Sequence, residues 1–454
     1  MKVRLRCNIE SYYRMSSFNP SSAPGGLVIA APNSNSGKTV FTLGLVSALR
    51  ARNFAVEVAK GGPGYIDPQF LRLATGRDCY NLDKWALGDT QLRARASEIA
   101  EDKDLLIIEG MMGMFDSAAS LSGSTADLAD TLNLPVLLLV DASGMAQSIA
   151  AIVHGFATLR PRPEVCGVVA THVGSQGHAE MLADALKETG IPFLGAVMRS
   201  EALTIPSRHL GLVQATERTQ TDALVNAARE AVESGVDLDA LLAAAGTLRS
   251  TLRPRRLPPI GQRIAIARDI AFEFTYPHIL SDWRAQGAQL SFFSPLANEA
   301  PHDNCDAIYL PGGYPELYAG TLSEAKVFLN GLRSASTLGA LIYGECGGYM
   351  VLGESLVDAQ GERHGMAGLL SHSTSFAQKK MHIGYRSIVP QPNPIWTAPL
   401  LGHEFHMSVL EDAGKDRPLF QQSDARGNDL GLTGGQRGSV LGSYTHIIDR
   451  APGA

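Results

Sequence analysis

Short apolar runs alternate with longer segments of helical spacing along the first half of the chain. The apolar runs, which we interpret as buried strands, lie at 26–32, 54–60, 104–110, 135–142, 166–173 and 192–197. The segments between them with helix-like patterns lie at 38–51, 89–102, 143–159 and 177–189. Continuous apolar strands that alternate with helices are typical of a parallel sheet covered on both faces. We therefore predict an α/β domain with a parallel sheet.

The segment 247–262 interrupts this alternation, because it is rich in proline and arginine and has little apolar periodicity. A second series of apolar runs follows it, at 263–269, 289–295, 307–313 and 339–346. We therefore predict a second α/β domain. The full division is a disordered N-terminal extension over 1–25, a first domain over 26–246, a linker over 247–262 and a second domain over 263–454.

Composition narrows the function classes. A chain of 454 residues has room for two or three domains, and its net charge of −6 gives no basic bias toward nucleic acid. Five scattered cysteines without a CxxC pair disfavour a zinc site or a disulfide framework and fit a reducing cytoplasm. The first residues lack the apolar centre of a signal peptide, and no uncharged apolar run reaches the ~18 residues of a membrane span.

A phosphate-binding loop is predicted where the first strand meets the first helix. Ser36, Gly37, Lys38 and Thr39 match the end of the P-loop pattern, although Pro32 stands at the position of its first glycine. Backbone N–H groups at a helix N-terminus favour phosphate oxygens. Lys38 would reach the terminal phosphates of ATP, and the Thr39 hydroxyl would bind Mg²⁺. The alternative is an ordinary helix N-cap at Ser36.

Three acidic residues follow strands and are candidates for the same site. Glu109 ends the run "DLLIIE", where a carboxylate can hold Mg²⁺ beside a P-loop, and Asp116 follows on the next loop. Asp67, in "GYIDP", is predicted at the carboxyl end of the sheet, where open α/β sheets bind ligands. The alternatives are solvated loop acids and a simple turn before Pro68. For Asp141, at another strand end, we favour a helix N-cap.

A nucleophile is predicted in "GECGGYM". Cys346 ends an apolar run and precedes two glycines and a helix, which is the arrangement of a nucleophile elbow. Gly312 and Gly313, which end the preceding strand, could form an oxyanion hole with Gly347. The alternative is a buried structural thiol.

A thiol nucleophile needs a base, and His446 is our candidate, since it follows an apolar run late in the domain and could face the elbow. His403 and His406 flank Glu404 and could form part of a metal site. We favour a structural network for them, because no third ligand is evident.

The motifs occur in an order that identifies a family resemblance covering about residues 26 to 450. They are APNSNSGKT, GYIDP, IEGMMGMFD, GSTADLA, PSRHLGLVQATE, ARDIAFEFTYPHIL, LPGGYPELYA, GECGGYM, IGYR, GHEFHMS and GSYTHIID. Each motif is modest alone, but the ordered set is highly specific. It resembles the cobyrinate/hydrogenobyrinate a,c-diamide synthases, glutamine-dependent amidotransferases of corrinoid biosynthesis.

The resemblance implies a dethiobiotin-synthetase-like P-loop ATPase domain followed by a class I glutamine amidotransferase domain. Cys346 would attack the glutamine side-chain amide with His446 as its base. The released ammonia would pass to the first domain, where Mg·ATP, held at 36–39 with Glu109, phosphorylates a substrate carboxylate that ammonia then converts to an amide. Asp67 and Asp116 correspond to family acids near that carboxylate. The implied partners are a tetrapyrrole acid, glutamine and ATP, in a monomer or homodimer.

This chain departs from the family pattern at a few positions. Ile448 stands where class I amidotransferases usually have a glutamate, so the resemblance implies a Cys–His dyad. Gly64 replaces a family aspartate, and Thr171 stands where asparagine is common. The alternatives are therefore an amidotransferase for another tetrapyrrole acid and a non-catalytic paralogue. A partitioning-type ATPase is disfavoured, because its signature lysine would fall at Asn33. "GSYTHIID" leans toward the cobalt-free substrate.

Overall fold

The computed structural model describes residues 23–117, 122–205, 207–208, 211–212, 221–249 and 252–453. Most of the predicted N-terminal extension, residues 1–22, therefore lies outside the described residues, as does part of the linker at 250–251. Within the described ranges, no helix combines the length and the apolar composition that crossing a bilayer requires.

The first half folds around a parallel sheet, as its apolar runs predict. Its strands are β1 Gly25–Ala30, β2 Val56–Gly61, β3 Tyr80–Leu82, β4 Leu105–Glu109, β5 Val136–Asp141, β6 Val165–Val173, β7 Phe193–Met198, β8 Ser207–Arg208, β9 Gly211–Leu212 and β10 Gly246–Thr247. Its helices are α1 Lys38–Ala51, α2 Asp67–Thr75, α3 Lys84–Ile99, α4 Thr125–Leu132, α5 Ile149–Thr158, α6 Gln176–Leu186, α7 Thr221–Gly235 and α8 Leu238–Ala243. The main sheet has the order β3-β2-β4-β1-β5-β6-β7, with β10 antiparallel to β1.

The second half combines a parallel sheet with antiparallel sheets. Its strands are β11 Arg263–Ala267, β12 Gln289–Phe293, β13 Ala307–Leu310, β14 Leu341–Glu345, β15 Ser355–Val357, β16 Arg363–Gly365, β17 Ser373–Ser375, β18 His382–Pro390, β19 Leu400–His406, β20 Val409–Asp412, β21 Phe420–Asp424, β22 Asp429–Thr433, β23 Gly435–Arg437, β24 Val440–Ser443 and β25 Thr445–Arg450. Its helices are α9 Pro277–Ala285, α10 Ala319–Glu324, α11 Lys326–Thr337 and α12 Gly347–Leu352. The sheet β12-β11-β13-β14-β24-β23 carries the predicted elbow.

Two features differ from the sequence prediction. The helix predicted from position 143 begins only at Ile149, so Asp141 is not its N-cap; its carboxylate accepts instead from the Ser143 N–H at 2.8 Å and pairs with His172 at 2.9 Å. The N-cap interpretation of Asp141 is therefore wrong. The antiparallel sheet β22-β21-β18-β19-β25 was also not predicted from the sequence. β18 and β22 are largely exposed or half-buried, and β19 and β25 are mostly buried but contain polar residues, so these strands lack the continuous apolar runs that mark the parallel strands.

The two halves share one apolar core. Tyr65 of the first half belongs to the same cluster of buried side chains as Phe274 and Tyr276 of the second. A buried ion pair also crosses the boundary, since the Arg95 guanidinium on α3 donates to Asp282 on α9 at 2.7 Å. A buried charge is costly without a partner, so this pair opposes separation of the halves.

Candidate active site

The phosphate loop lies between β1 and α1, where the sequence predicts it. Gly37 caps the helix with φ 79°, a left-handed conformation that favours glycine. Ser36 is not the N-cap: its hydroxyl donates within the loop to the Asn33 carbonyl and carboxamide oxygens at 3.0 and 2.8 Å. The ordinary N-cap alternative for Ser36 is therefore wrong. The backbone of Ser36 is tied to the sheet as well, because the Thr171 hydroxyl donates to its carbonyl at 2.9 Å.

The ammonium of Lys38, the first residue of α1, lies inside this loop. Its ammonium donates to the carbonyl oxygens of Asn33 at 3.0 Å and of Met112 at 2.8 Å. Burial, and then the charge of Lys60, lower the pKa of Lys38 to about 8. Asp116 fixes the loop that supplies the Met112 carbonyl, since its carboxylate accepts from the Gly113 N–H at 2.8 Å.

The carboxylate of Glu109 is the centre of a buried polar network at the end of β4. One of its oxygens accepts from the Thr39 hydroxyl at 3.0 Å and from the Lys60 ammonium at 2.7 Å. The same ammonium lies 2.7 Å from the Asp67 carboxylate at the start of α2. The structure thus brings together Thr39, Glu109 and Asp67, as the sequence predicts.

Lys60 is a site residue that sequence reasoning missed. A lysine near the end of a fully buried strand was the available signal, because a buried ammonium needs anionic partners. Burial alone would lower the pKa of Lys60, but the carboxylates of Asp67 and Glu109 outweigh burial and raise it. Burial raises the pKa of Glu109, and Lys60 opposes that shift.

The donor set fits Mg²⁺. The second carboxylate oxygen of Glu109 is buried and has no hydrogen-bond partner within the described ranges. A hydroxyl and a carboxylate oxygen are ligands that Mg²⁺ prefers. Gly64 lies beside this network, since a Cβ placed on it would stand 3.8 Å from Lys60 Cε. An aspartate at position 64 would therefore face Lys60.

The predicted elbow is formed between β14 and α12. Cys346 has φ 47° and ψ −106°, a strained conformation for a residue other than glycine and one found where a nucleophile is held on a tight turn. Close packing requires its small neighbours. A Cβ on Gly348 would stand 1.9 Å from the Leu310 carbonyl oxygen, and one on Gly344 would stand 2.7 Å from Leu352.

Three predicted oxyanion-hole glycines converge on Cys346. A Cβ on Gly312 would lie 3.1 Å from the Cys346 Cβ, and one on Gly347 would lie 3.1 Å from the Gly313 nitrogen. Burial, and then the charge of Glu316, raise the pKa of the Cys346 thiol, whereas the Gly347 N–H favours the thiolate. The thiol therefore needs a base to become a nucleophile.

His446, the predicted base, lies close to Cys346, whose thiol donates to the Phe405 carbonyl at 3.8 Å. A Cβ placed on Gly312 would stand 2.9 Å from His446 Nε2 and 3.1 Å from the Cys346 Cβ, so both side chains border the same small space. The His446 side chain is fully buried, and burial, with the nearby His403, lowers its pKa to about 3. A neutral imidazole beside a thiol is the form that can accept the thiol proton.

One loop of the first half reaches this imidazole. The Tyr65 ring, which follows β2, packs with its centroid 4.4 Å from that of His446. The Tyr65 hydroxyl lies 2.8 Å from the Tyr276 hydroxyl, and the Tyr276 hydroxyl donates to the Pro63 carbonyl at 3.1 Å. The same loop carries Asp67 to the Lys60 network, so it contacts both candidate sites.

Glu404 is the centre of a hydrogen-bonded network that includes His406, one of its two flanking histidines. His406 bonds to the Glu404 carboxylate at 2.8 Å and to the Ser408 hydroxyl at 2.9 Å, and Arg386 donates to Glu404 at 2.8 Å. His382 adds a third potential metal ligand that the sequence did not reveal. Arg386 and His406 occupy both oxygens of the Glu404 carboxylate, so, unlike Glu109, it offers no unbonded oxygen to a cation.

Comparisons with known proteins match both halves of the chain. The family described as "CobQ/CobB/MinD/ParA nucleotide binding domain" matches residues 27–213, and "CobB/CobQ-like glutamine amidotransferase domain" matches residues 263–452. A hydrogenobyrinate a,c-diamide synthase of Sinorhizobium sp is 50% identical over 437 residues, which is 94% of this chain and 100% of the relative. The enzymes of the same name from Rhizobium meliloti and Brucella anthropi are 50% and 48% identical, and each alignment covers 93% of this chain and 99% and 98% of the relative.

Proposed function

The chain belongs to the hydrogenobyrinate a,c-diamide synthase family of amide-forming ligases, and we propose that it amidates the a- and c-side-chain carboxylates of hydrogenobyrinate. Glutamine supplies the nitrogen and ATP supplies the energy. One observation carries the proposal: a cysteine elbow with a neutral histidine and a P-loop site are both contacted by the segment 62–67, the loop after β2 and the first residue of α2.

Ammonia is generated in the second half. The Cys346 thiol gives its proton to His446 Nε2, and the sulfur attacks the carboxamide carbon of glutamine to form a C–S bond. Backbone N–H groups at Gly313 and Gly347 stabilise the developing oxyanion. The C–N bond breaks as the imidazolium returns the proton to nitrogen, which releases ammonia. Water, deprotonated by His446, then hydrolyses the thioester to glutamate and restores the thiol.

The amide bond forms in the first half. A carboxylate is a poor electrophile, so one of its oxygens first attacks the γ-phosphorus of ATP, and ADP leaves. Ammonia then attacks the carbonyl carbon of the acyl phosphate, and phosphate leaves. Lys38 neutralises charge on the phosphates, and Asp67 and Asp116 lie beside the reacting carboxylate. Thr39 and Glu109 would hold Mg²⁺, which supplies charge neutralisation and orientation of the phosphates when bound.

The division into a P-loop domain over 26–246, a linker over 247–262 and an amidotransferase domain over 263–454 belongs to this proposal, as does a cytoplasmic location. The family matches at 27–213 and 263–452 support the division into domains. A homodimer stays a prediction.

The test is amidation by the purified protein with Mg·ATP, glutamine and hydrogenobyrinic acid, followed by phosphate release and by the product mass. We expect mass changes for one and then two amides. Cys346→Ala should lose the reaction with glutamine and keep it with ammonium chloride. If neither glutamine nor ammonium chloride yields an amide, with hydrogenobyrinic acid or with cobyrinic acid, that result would contradict the proposal and favour the non-catalytic alternative.

A further inference from the structure

Among the residues that the structure describes, no side chain makes a hydrogen bond of ordinary geometry to the imidazole of His446, although a backbone hydrogen bond with Phe274 opposes the lowering of its pKa. In a cysteine–histidine pair, an acceptor at Nδ1 keeps the proton there and leaves Nε2 free to take the thiol proton. The position two residues on, Ile448, is buried and apolar and cannot supply that acceptor.

The chain supplies a carboxylate from a different place. Glu345 immediately precedes Cys346, and its Oε2 lies 3.9 Å from His446 Nδ1. We propose that Glu345 is a positioning residue that completes a Cys–His–Glu triad by holding the proton on Nδ1 of His446. The acid then comes from the end of β14 rather than from the strand of the histidine. This inference rests on the glutaminase half of the proposed function.

Strand register explains why the two side chains meet. Glu345 is the last residue of β14 and pairs with Ser443, the last residue of β24. The chain then bends at Tyr444 and enters β25, which begins at Thr445 and carries His446 as its second residue. The histidine therefore lies only three residues beyond the partner of Glu345.

The Glu345 carboxylate is held by donors that keep it in this position. It accepts from the hydroxyls of Tyr309 at 2.7 Å and Tyr343 at 3.0 Å, and from the Ile447 N–H at 3.1 Å. Such hydrogen bonds favour the ionised form, whereas burial, the larger effect, raises the pKa of Glu345 to about 7. An imidazolium on His446 would attract the ionised carboxylate most strongly when the thiolate forms.

The other groups near His446 fit the role less well. Glu404 is already paired with Arg386 and His406. His403 is buried, its pKa is lowered to about 3, and as a neutral imidazole it adds no negative charge. Tyr65 contacts the face of the ring rather than its edge. Glu345 is therefore the carboxylate best placed for Nδ1.

The first experiment is Glu345→Gln, which keeps the shape of the side chain and removes its charge. We expect kcat for glutamine-dependent glutamate release to fall about 100-fold, a typical contribution of acid–base catalysis, with KM for glutamine unchanged. In the wild-type protein, the rate of Cys346 alkylation by iodoacetamide should change with pH around the pKa of Glu345, about 7. That change should be absent from Glu345→Gln. Glu324→Gln, at an exposed side chain of the same half, is the matched control.

The outcomes separate the two proposals. Glutamate release within threefold of the parent, with an unchanged pH profile of alkylation, would overturn the role of Glu345. A wild-type protein that hydrolyses glutamine but makes no tetrapyrrole amide would fail the proposed function and still test Glu345. Ammonia-dependent amidation, or the urea midpoint where that reaction is absent, reports whether Glu345→Gln folds.

A second measurement decides the matter if the variant does not fold. In ¹⁵N-histidine spectra of the wild-type protein, with His446→Gln to assign the signal, the inference requires the proton on Nδ1. A proton on Nε2 would overturn it.

Discussion

The Lys60 network gives the sharpest test of the first site. The Lys60 ammonium lies 2.7 Å from both the Glu109 and the Asp67 carboxylates, and its side chain is only 3% exposed. Lys60→Met removes the charge and keeps most of the apolar stem. The variant leaves two carboxylates near each other, one of them completely buried, without their shared cation.

The geometry sets the expected magnitude. At an effective dielectric constant of about 20, two unit charges at this separation attract by about 6 kcal/mol. Desolvation offsets most of that attraction, and removing one partner of a buried ion pair typically costs about 3–5 kcal/mol. We therefore expect Lys60→Met to lower the free energy of unfolding by about 3–5 kcal/mol at pH 8 and to abolish ATP-dependent amidation.

Urea unfolding followed by tryptophan fluorescence measures this loss. Lys187→Met is the matched control, because Lys187 pairs with Asp184 at the surface, where an ion pair contributes at most about 1 kcal/mol. The double variant Lys60→Met/Glu109→Gln should recover part of the loss, since neither side chain then carries a charge.

The pH dependence has a definite sign. Burial raises the pKa of Glu109 while Lys60 opposes this shift, so Lys60→Met should raise that pKa further. Glu109 then binds a proton more tightly in the folded variant than in the unfolded chain. The loss in free energy of unfolding relative to the wild type should therefore shrink as the pH falls through the folded-state pKa of Glu109. A deficit no larger than that of Lys187→Met, or one that grows on acidification, would refute the reasoning.

Two further predictions concern the same site. The pKa of Lys38 is lowered to about 8, so kcat/KM for ATP, measured against pH, should fall above about pH 8 as the free enzyme loses that charge; a flat profile to pH 9.5 would contradict this. Gly64→Asp should fold with a change in stability within about 1 kcal/mol, because space is open to Lys60 Cε. Gly64→Asp should also lower the Mg²⁺ concentration for half-maximal phosphate release by up to about fivefold, which corresponds to about 1 kcal/mol of added attraction. Gly64→Asn is the uncharged control. Equal effects of the two variants would show that charge is not the cause.

The parallel sheets, the phosphate loop and the cysteine elbow could be predicted because local sequence determines them. A buried parallel strand is a continuous apolar run, and the turn at Cys346 needs glycines where a Cβ on Gly344 or Gly348 would collide. Lys60 and Tyr65 could not be assigned in this way. Their roles depend on residues far along the chain, Glu109 for one and His446 for the other.

The glutamate next to the nucleophile shows the same limit. In the sequence, Glu345 is one more residue of an elbow motif, and the missing acid at Ile448 predicts a dyad. Only the register of β14 against β24, and the bend into β25, place its carboxylate beside His446 Nδ1. A motif that is short in sequence can therefore supply both a nucleophile and the acid that orients its base.

The loop 62–67 offers a physical reason for joining the two reactions in one chain. Its Tyr65 ring packs against His446, the proposed base, and its Asp67 carboxylate is paired with the lysine that holds the proposed metal ligand. Tyr65 and Asp67 are only two residues apart, so one short segment contributes a side chain to each of the two proposed sites.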